Sequence, residues 1–175
     1  MSRDSDESFR AFVTTWSPGL LRTAFLLTGD DGHAEDLVQA ALLKASQRWR
    51  RLDNPEAAYS YVRTVMVNTH IGWHRRRRVT EHLVGDVAAP PPAAHEQFSA
   101  VERTAAALAA LPPGMRAVLV LRYYDDLSEA QAAAALGCSV GNIKNQTSRG
   151  LDRMRRFLAV PAAGADEVNV SKGKQ

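Results

Sequence analysis

The stretch LSEAQAAAALGCSVGNIKNQTSRGLDRMRRFL, from Leu127 to Leu158, constrains the fold of this chain more than any other. Ser128, followed three residues later by Gln131, forms a capping-box pattern that predicts a helix start. Gly137 can adopt the left-handed conformation that ends a helix, and Ser139 can cap the next one. A short helix, a glycine turn and a second helix together predict a helix-turn-helix.

The second helix of this pair has two different faces. At about 100° per residue, its apolar residues share one stripe and its polar residues share the opposite one. The polar face consists of Asn142, Asn145, Gln146, Arg149, Arg153 and Arg156. Amides and guanidiniums can form bidentate hydrogen bonds to adenine and guanine edges in a major groove, whereas Lys144, off this face, better suits a phosphate. A solvated surface helix is the alternative, but the capped glycine turn before it favours DNA recognition.

Helical periodicity also runs through the rest of the chain. Apolar residues recur every three or four positions from Phe9 to Leu27, from Leu37 to Trp49, and from Pro55 to the arginines at 75–78. The VLVL segment after Pro112 could be a buried strand, but its proline start and helical flanks favour a helix. The sequence therefore predicts an all-α protein.

A break in this pattern separates two domains. Residues 84–97, VGDVAAPPPAAHEQ, lose the periodicity and contain three consecutive prolines, which cannot continue a helix. Two small helical cores fit this organisation better than one. We expect two small helical domains joined by a flexible linker, followed by a disordered tail. The predicted boundaries are 8–78 for the first domain, 79–98 for the linker, 99–160 for the helix-turn-helix domain and 161–175 for the tail.

Composition bears on compartment and partners. The formal net charge of +3 permits a polyanionic partner without requiring one. Cys138 is the single cysteine, which leaves no disulfide framework and no cysteine-based zinc site. The polar start and the lack of a long apolar run predict a soluble, cytoplasmic protein with no membrane partner.

Positive charge is concentrated at two separate helical places, the segment from Lys144 to Arg156 and the uninterrupted run of four arginines at 75–78. Such a run can be a solvated helix end or a nonspecific polyanion patch. It follows Asn68, His70 and Trp73 on the same predicted helix, and amide and aromatic groups beside cations are what unstacked bases require. The residues alone support the single-strand and the solvated-surface interpretations about equally.

Two rival functions use the same residues. A stand-alone two-domain transcriptional regulator could carry this helix-turn-helix and bind its operator by itself, with the first domain sensing a ligand or dimerising. His70 and His74 have the i, i+4 spacing of metal ligands, but no Glu lies between them and no third ligand stands out. No nucleophile, phosphate loop or carboxylate pair is evident either, so we predict no catalysis, no cofactor and no metal. Cys138 is most simply a small buried turn residue.

The order of these motifs resembles that of the extracytoplasmic-function (ECF) sigma factors, small promoter-specificity subunits of bacterial RNA polymerase. The family pattern Ala-Glu-Asp-Leu-Val-Gln stands here as AEDLVQAALLKAS at 34–46, and the helix with a basic end as VMVNTHIGWHRRRR at 65–78. Between Leu111 and Lys144, LPPGMR, DLS and LGCSVGNIK are similar to the C-terminal motifs of the family. The resemblance covers roughly residues 8–158 and depends on order and spacing together.

The resemblance implies roles for three groups of residues. The contact with the core-polymerase clamp is expected to consist of Asp36, Leu37, Gln39 and Leu43. Asn68 matches the asparagine that captures a flipped base of the melted −10 element, and the loop at 53–54 helps to form that pocket. The −10 surface is expected to consist of Asp53, Asn54, Asn68, Trp73, Arg75, Arg76, Arg77 and Arg78. The −35 surface is expected to consist of Asn142, Lys144, Asn145, Gln146, Arg149 and Arg153.

Several positions depart from the family pattern. Ala40 and Ala41 replace the usual acidic residue and threonine, and Gly72 stands where many relatives have aspartate. Gln146 replaces a frequent arginine and Thr147 a frequent leucine. These departures affect which promoter is read rather than whether one is read.

The resemblance also implies partners. They are core RNA polymerase, through its β′ clamp and β subunits, promoter DNA and, as in many relatives, an anti-sigma factor. The predicted linker averages about 25 Å as a flexible coil. Promoter elements about seventeen base pairs apart are separated by roughly 58 Å at about 3.4 Å per pair. We therefore expect core polymerase to hold both domains apart, and the free chain to bind promoter DNA poorly.

Overall fold

The architecture is known from a computed structural model, which describes the backbone of residues 3–52, 54–84 and 99–159. Side chains are described for residues 5–52, 54–76 and 99–159. Helices account for almost all of this part of the chain, and it contains no β-strand. The all-α prediction is therefore confirmed. None of the helices described combines the length and apolar composition needed to cross a membrane.

Three helices form the first domain. They are α1 (Arg3–Thr28), α2 (Asp31–Arg48) and α3 (Pro55–Val84), with a short 3-10 turn at Trp49–Arg51 before α3. Helix α1 continues through Pro18 rather than ending there. Helix α2 packs against both α1 and α3, and together the three bury an apolar core.

The junctions between these helices follow from local chemistry. Gly29 has a φ of +76°, which favours glycine, and the Asp30 side chain caps α2 by accepting a 2.8 Å hydrogen bond from the His33 N–H. Asn54 caps α3 in the same way, with its Oδ1 accepting from the Ala57 N–H at 2.7 Å. Helix α3 then extends to Val84, through the first six residues of the predicted linker.

The second domain holds the helix-turn-helix. Its helices are α4 (Ala100–Ala109), α5 (Pro113–Leu119), α6 (Glu129–Leu136) and α7 (Val140–Ala159), and a π-helical turn at Val120–Tyr124 continues α5. The VLVL segment is thus helical, as predicted. Helices α5, α6 and α4 all pack against α7.

The predicted caps of the helix-turn-helix are confirmed. The Ser128 hydroxyl accepts from the Gln131 N–H at 3.2 Å, and the Gln131 side chain accepts from the Ser128 N–H at 2.8 Å. Gly137 ends α6 with a φ of +61°. The Ser139 hydroxyl then accepts from the Asn142 N–H at 3.2 Å and starts α7.

A glycine lets α7 lie close to α5. Gly150 is buried, and a Cβ placed on it would lie 3.1 Å from Cδ1 and 3.2 Å from Cγ of Leu119. Contacts this short require the neighbouring side chain to shift. The glycine therefore allows α7 to lie close to α5.

The two domains lie against each other. Helix α1 contacts α4, α5 and the π-helical turn, and α3 contacts α5 and α6. Their buried side chains form one contiguous cluster that runs from Phe12 to Ile143, beside a smaller cluster around Leu108 and Leu111. The expectation of two separate cores differs from this arrangement, because apolar surfaces of both domains are covered by each other.

Candidate nucleic-acid interface

The polar face of α7 is turned away from the domain core. Ile143 and Gly150 are buried on the packed side. The exposed residues of the opposite face are Asn142, Asn145, Arg149, Arg153 and Arg156. Neither Arg149 nor Arg153 is in a salt bridge with any residue that the structure describes. Their guanidiniums remain available for base edges or phosphates.

Two residues of the predicted −35 surface, Gln146 and Lys144, lie close to side chains or backbone of other helices. Gln146 is half-buried and points towards the start of α5, where its Nε2 would lie 3.9 Å from a Cβ placed on Gly114. Lys144 lies on another side of α7, with its Nζ 3.7 Å from Oε2 of Glu129. Of the predicted −35 residues, Asn142, Asn145, Arg149 and Arg153 therefore share one exposed face of α7.

Asn68, the central residue of the predicted −10 surface, contacts the other domain. Its Nδ2 donates a 3.0 Å hydrogen bond to the carbonyl oxygen of Ala135, in α6. At about 100° per residue, Gly72 and Arg75 lie within about 40° of Asn68 around α3. Trp73 lies about 140° away, half-buried against the core. The helix therefore groups Asn68 with Arg75 but not with Trp73.

The other predicted −10 residues are placed as follows. Asn54 is exposed, but its side-chain oxygen is used to cap α3. Arg75 and Arg76 are exposed near the end of the described side chains of α3. The side chains of Arg77 and Arg78 lie outside the described residues, as does Asp53.

The two histidines of α3 are packed together. Their ring centroids are 4.6 Å apart in an edge-on arrangement, and His70 is only 1% exposed. Burial lowers the pKa of His70 to about 3, with further lowering from the nearby His74 and Arg116. His70 is therefore neutral at pH 7. Within the described ranges, no group of three potential metal-ligating side chains includes this pair.

Helix α2 presents an exposed stripe, which we call the α2 stripe, formed by Asp36, Gln39 and Leu43. Leu43 is 64% exposed, a high value for a large apolar side chain. Leu37, which was expected to contact polymerase, is fully buried and packs in the core instead. Its position on the helix faces α1 and α3 rather than solvent.

The sequence reasoning missed a set of polar residues between the domains. The Thr23 hydroxyl donates to Oδ1 of Asp125 at 3.1 Å, and the Arg63 Nε lies 3.9 Å from Oδ2 of the same carboxylate. Arg116, buried in α5, donates from Nη1 to the Leu27 carbonyl at 2.7 Å. An arginine inside the apolar stretch of α5 was a signal for Arg116, whereas nothing in the sequence marked Asp125.

Comparison with known proteins agrees with this organisation. The family model "Sigma-70 region 2" matches residues 12–80, and "Sigma-70, region 4" matches residues 102–154. The chain is 36% identical to the RNA polymerase sigma-E factor of Streptomyces coelicolor over 151 residues, which are 86% of this chain and 85% of that protein. It is 34% identical to the ECF RNA polymerase sigma factor SigL of Mycobacterium tuberculosis, over 85% of this chain and 88% of that one.

A solved structure has a similar fold. The sigma factor RpoE of Bartonella quintana, in complex with the anti-sigma factor NepR, aligns with a TM-score of 0.68 and 26% identity. The alignment covers 88% of this chain and 98% of that one. With both family regions matched in order and relatives aligned over most of their length, the chain belongs to the sigma-70 family as an ECF sigma factor, a subunit that binds core RNA polymerase and directs transcription initiation at promoter DNA.

Proposed function

We propose that three surfaces of this sigma factor divide the work of initiation. The exposed face of α7 reads the −35 element, the face of α3 around Asn68 captures the −10 element, and the α2 stripe docks on core polymerase. The observation that carries this proposal is the amide and guanidinium face of α7, exposed behind a fully capped glycine turn.

The −35 assignment follows from the chemistry of that face. Asn142 and Asn145 can bind adenine edges and Arg149 can bind guanine, each bidentate pair giving about 1–3 kcal/mol of discrimination. Lys144 is held near Glu129, and Gln146 is turned towards α5. These two residues act on the geometry of the surface more than on base recognition.

The −10 assignment depends on Asn68 and the basic end of α3. An amide can bond the edge of an unstacked base, and exposed arginines beside it attract the phosphates of a single strand. Arg75 shares the Asn68 face, so it follows the same strand. Trp73 supports α3 from the core side and is a positioning residue in this proposal.

The docking assignment uses an apolar side chain with polar neighbours. Leu43 is the exposed centre of the α2 stripe, and Asp36 and Gln39 lie beside it as hydrogen-bonding groups. Interfaces commonly combine an apolar anchor with a polar rim in this way. Leu37 stabilises the helix that presents them.

Further features of the proposal follow from the family. The chain acts as an initiation factor without catalysis of its own, and it works in the cytoplasm with core polymerase. The proposed first domain spans 8–78 and the second 99–160, joined by a connection at 79–98 whose first six residues continue α3, and followed by a tail at 161–175. An anti-sigma factor is a further partner, as it is for RpoE of Bartonella quintana.

In vitro transcription on a genomic-fragment library tests the assignment. The library is transcribed by purified core polymerase of the same bacterium, with and without this protein. We expect discrete start sites that require the protein, with shared upstream motifs. Arg149→Ala should lower transcription from them at least tenfold, while Arg155→Ala is the matched control because Arg155 pairs with Asp152 on another side of α7. Equal transcription by the two variants would contradict the −35 assignment.

A further inference from the structure

Three arginines lie close together where α2 ends. Arg48 is the last residue of α2, and Arg50 and Arg51 follow in the 3-10 turn. All three are exposed, and none of them forms a salt bridge or a side-chain hydrogen bond with any residue that the structure describes. They line an open pocket of about 670 Å³, which we call the arginine pocket, formed by residues 46–51 and Ser5.

The packing of Trp49 anchors the turn that carries these arginines. The centroid of its ring lies 5.0 Å from that of Phe9 and 5.1 Å from that of Phe12. Its Nε1 donates a 2.8 Å hydrogen bond to the Ser8 hydroxyl, and its carbonyl accepts from the Leu52 N–H at 3.1 Å. The turn is therefore held on α1, and its arginines extend from a well-supported stretch of backbone.

The end of α2 accounts for only part of this charge. A cation in the last turn of a helix interacts favourably with the helix dipole, and Arg48 has that position in α2. Arg50 and Arg51 lie beyond the end of α2, so its dipole does not account for them. Three guanidinium groups within four residues also repel one another, and a bound anion relieves that repulsion.

The chemistry of the arginine pocket favours a nucleic acid over a protein partner. Planar guanidiniums bind phosphate oxygens bidentately. Gln47 and Trp49 add an amide and an aromatic ring, groups that accompany cations in sites for single strands. Protein interfaces instead have an apolar core from which charged residues are depleted. No residue lining this pocket is among the exposed large hydrophobic side chains of the described ranges.

The arginine pocket also lies next to the loop at 53–54, which we assign to the −10 element. Arg51 precedes Asn54 by three residues, so their Cα atoms are at most about 11 Å apart. We propose that the arginine pocket binds phosphates of the DNA strand that continues past the base held at this loop. This inference rests on the proposed −10 role of the first domain. It adds a contact that positions the strand without reading its sequence.

Two variants of equal charge test the proposal in the complex with core polymerase. The pocket variant carries Arg48→Gln, Arg50→Gln and Arg51→Gln. The control variant removes the same charge at exposed sites outside the pocket, by Arg22→Gln, Arg103→Gln and Arg155→Gln. Each complex binds a fluorescent promoter probe with a premelted −10 element at salt concentrations from about 50 to 200 mM. Thermal unfolding of each free variant checks that it folds like wild type.

The salt dependence of binding is the main readout. Each phosphate contact to a single strand contributes about 0.7 to the slope of log K against log salt, so three contacts contribute about 2. Over this salt range, wild type should therefore lose about twentyfold more affinity than the pocket variant. The control variant should follow wild type. Equal slopes for the pocket and control variants would overturn the proposal.

Probes with one neutral methylphosphonate linkage at a time locate the phosphates that are bound. We expect a few neighbouring linkages to weaken binding by wild type and to leave the pocket variant unaffected. Their position distinguishes phosphates of the melted strand from those of the duplex that continues it. If every linkage affects wild type and the pocket variant alike, the pocket does not hold this strand.

Two further results separate this inference from the other assignments. The pocket variant should weaken binding of specific and scrambled −10 probes by the same factor, whereas Asn68→Ala should abolish the preference between them. If the −10 assignment fails, Asn68→Ala keeps that preference, and the salt slopes of the pocket variant are unaffected by this failure. Weaker binding of the pocket variant to core polymerase without DNA would make the pocket a polymerase contact and contradict the proposal.

Discussion

Helices α7 and α3, to which we assign promoter recognition, differ in what lies over them. The reading face of α7 is open to solvent, and its support comes from within its own domain, through Ile143 and the close approach at Gly150. Asn68 on α3 is instead bonded to α6 of the other domain. The proposed −35 surface is therefore supported by its own domain alone, whereas Asn68 of the proposed −10 surface also bonds the second domain.

The largest loss of stability is expected on substitution of Arg116, which bonds carbonyl groups of both domains. Arg116→Ala leaves buried carbonyls of Leu27 and Leu111 without a donor, so the free energy of unfolding should fall by about 3 kcal/mol. Urea denaturation measures it. Arg103→Ala is the control, because Arg103 bonds the Leu158 carbonyl on the exposed surface and its loss should cost only about 0.5 kcal/mol. Similar losses in the two variants would contradict a structural role for the buried arginine.

Acid should lower the free energy of unfolding through His70, which is buried on α3. Its pKa is lowered to about 3 from an ordinary 6.5, so the unfolded chain binds a proton that the folded chain excludes. Stability should therefore decline as pH falls from about 6.5 towards 3. The groups that face His70 are His74 and Arg116, and both favour its neutral form.

His70→Gln isolates this contribution. The variant should lose less stability than wild type between pH 6.5 and pH 4.5, measured by thermal unfolding at each pH. The raised pKa of Asp125 acts in the opposite direction, because its carboxyl binds a proton more readily when folded. Asp125 is therefore present in both wild type and His70→Gln, so that its contribution to the pH dependence is the same in the two proteins. Parallel pH profiles for wild type and His70→Gln would exclude His70 as the titrating group.

A substitution at Gly150 tests the close packing that supports α7. A methyl group there would lie 3.1 Å from Leu119, so Gly150→Ala should destabilise the second domain by about 1–2 kcal/mol and displace α7. Gly141→Ala, in the same helix, meets only Ser139 Oγ at 3.9 Å and should be neutral or slightly stabilising. Thermal unfolding of both variants checks this, and equal stability would mean that α7 tolerates a wider spacing.

The smallest predicted effect concerns the cap of α6. Ser128→Ala removes the hydroxyl that accepts from the Gln131 N–H and should cost about 1 kcal/mol. Ser148→Ala, on the exposed surface of α7, should change stability by no more than about 0.5 kcal/mol. Loss of the same size in both would show that the capping box is not what starts α6.

Features encoded by short-range chemistry were predictable from the sequence. The caps at Ser128 and Ser139, the left-handed Gly137 and the two faces of α7 each depend on residues within a few positions of each other, and the structure has all of them. Family motifs extended the prediction to α2 and α3. Their positions on a helix could be predicted, but not which of their side chains would be buried.

Long-range contacts were not predictable in this way. Leu37 belongs to a family motif, yet its side chain is fully buried because α2 packs between α1 and α3. The bonds from Asn68 to Ala135 and from Thr23 to Asp125 join residues far apart in the chain, and no spacing rule relates them. The half-burial of Gln146 likewise depends on the position of α5.

The central claim is that the proposed −35 surface on α7 is free of the other domain, whereas Asn68 of the proposed −10 surface is bonded to α6. The most direct measurement is equilibrium binding of the free protein to two fluorescent probes from one mapped promoter, the −35 duplex and the single-stranded −10 element, each beside a scrambled probe. We predict weak but sequence-dependent binding to the duplex and no preference for the −10 strand until core polymerase is added. Specific binding of the −10 strand by the free wild-type chain would contradict the account.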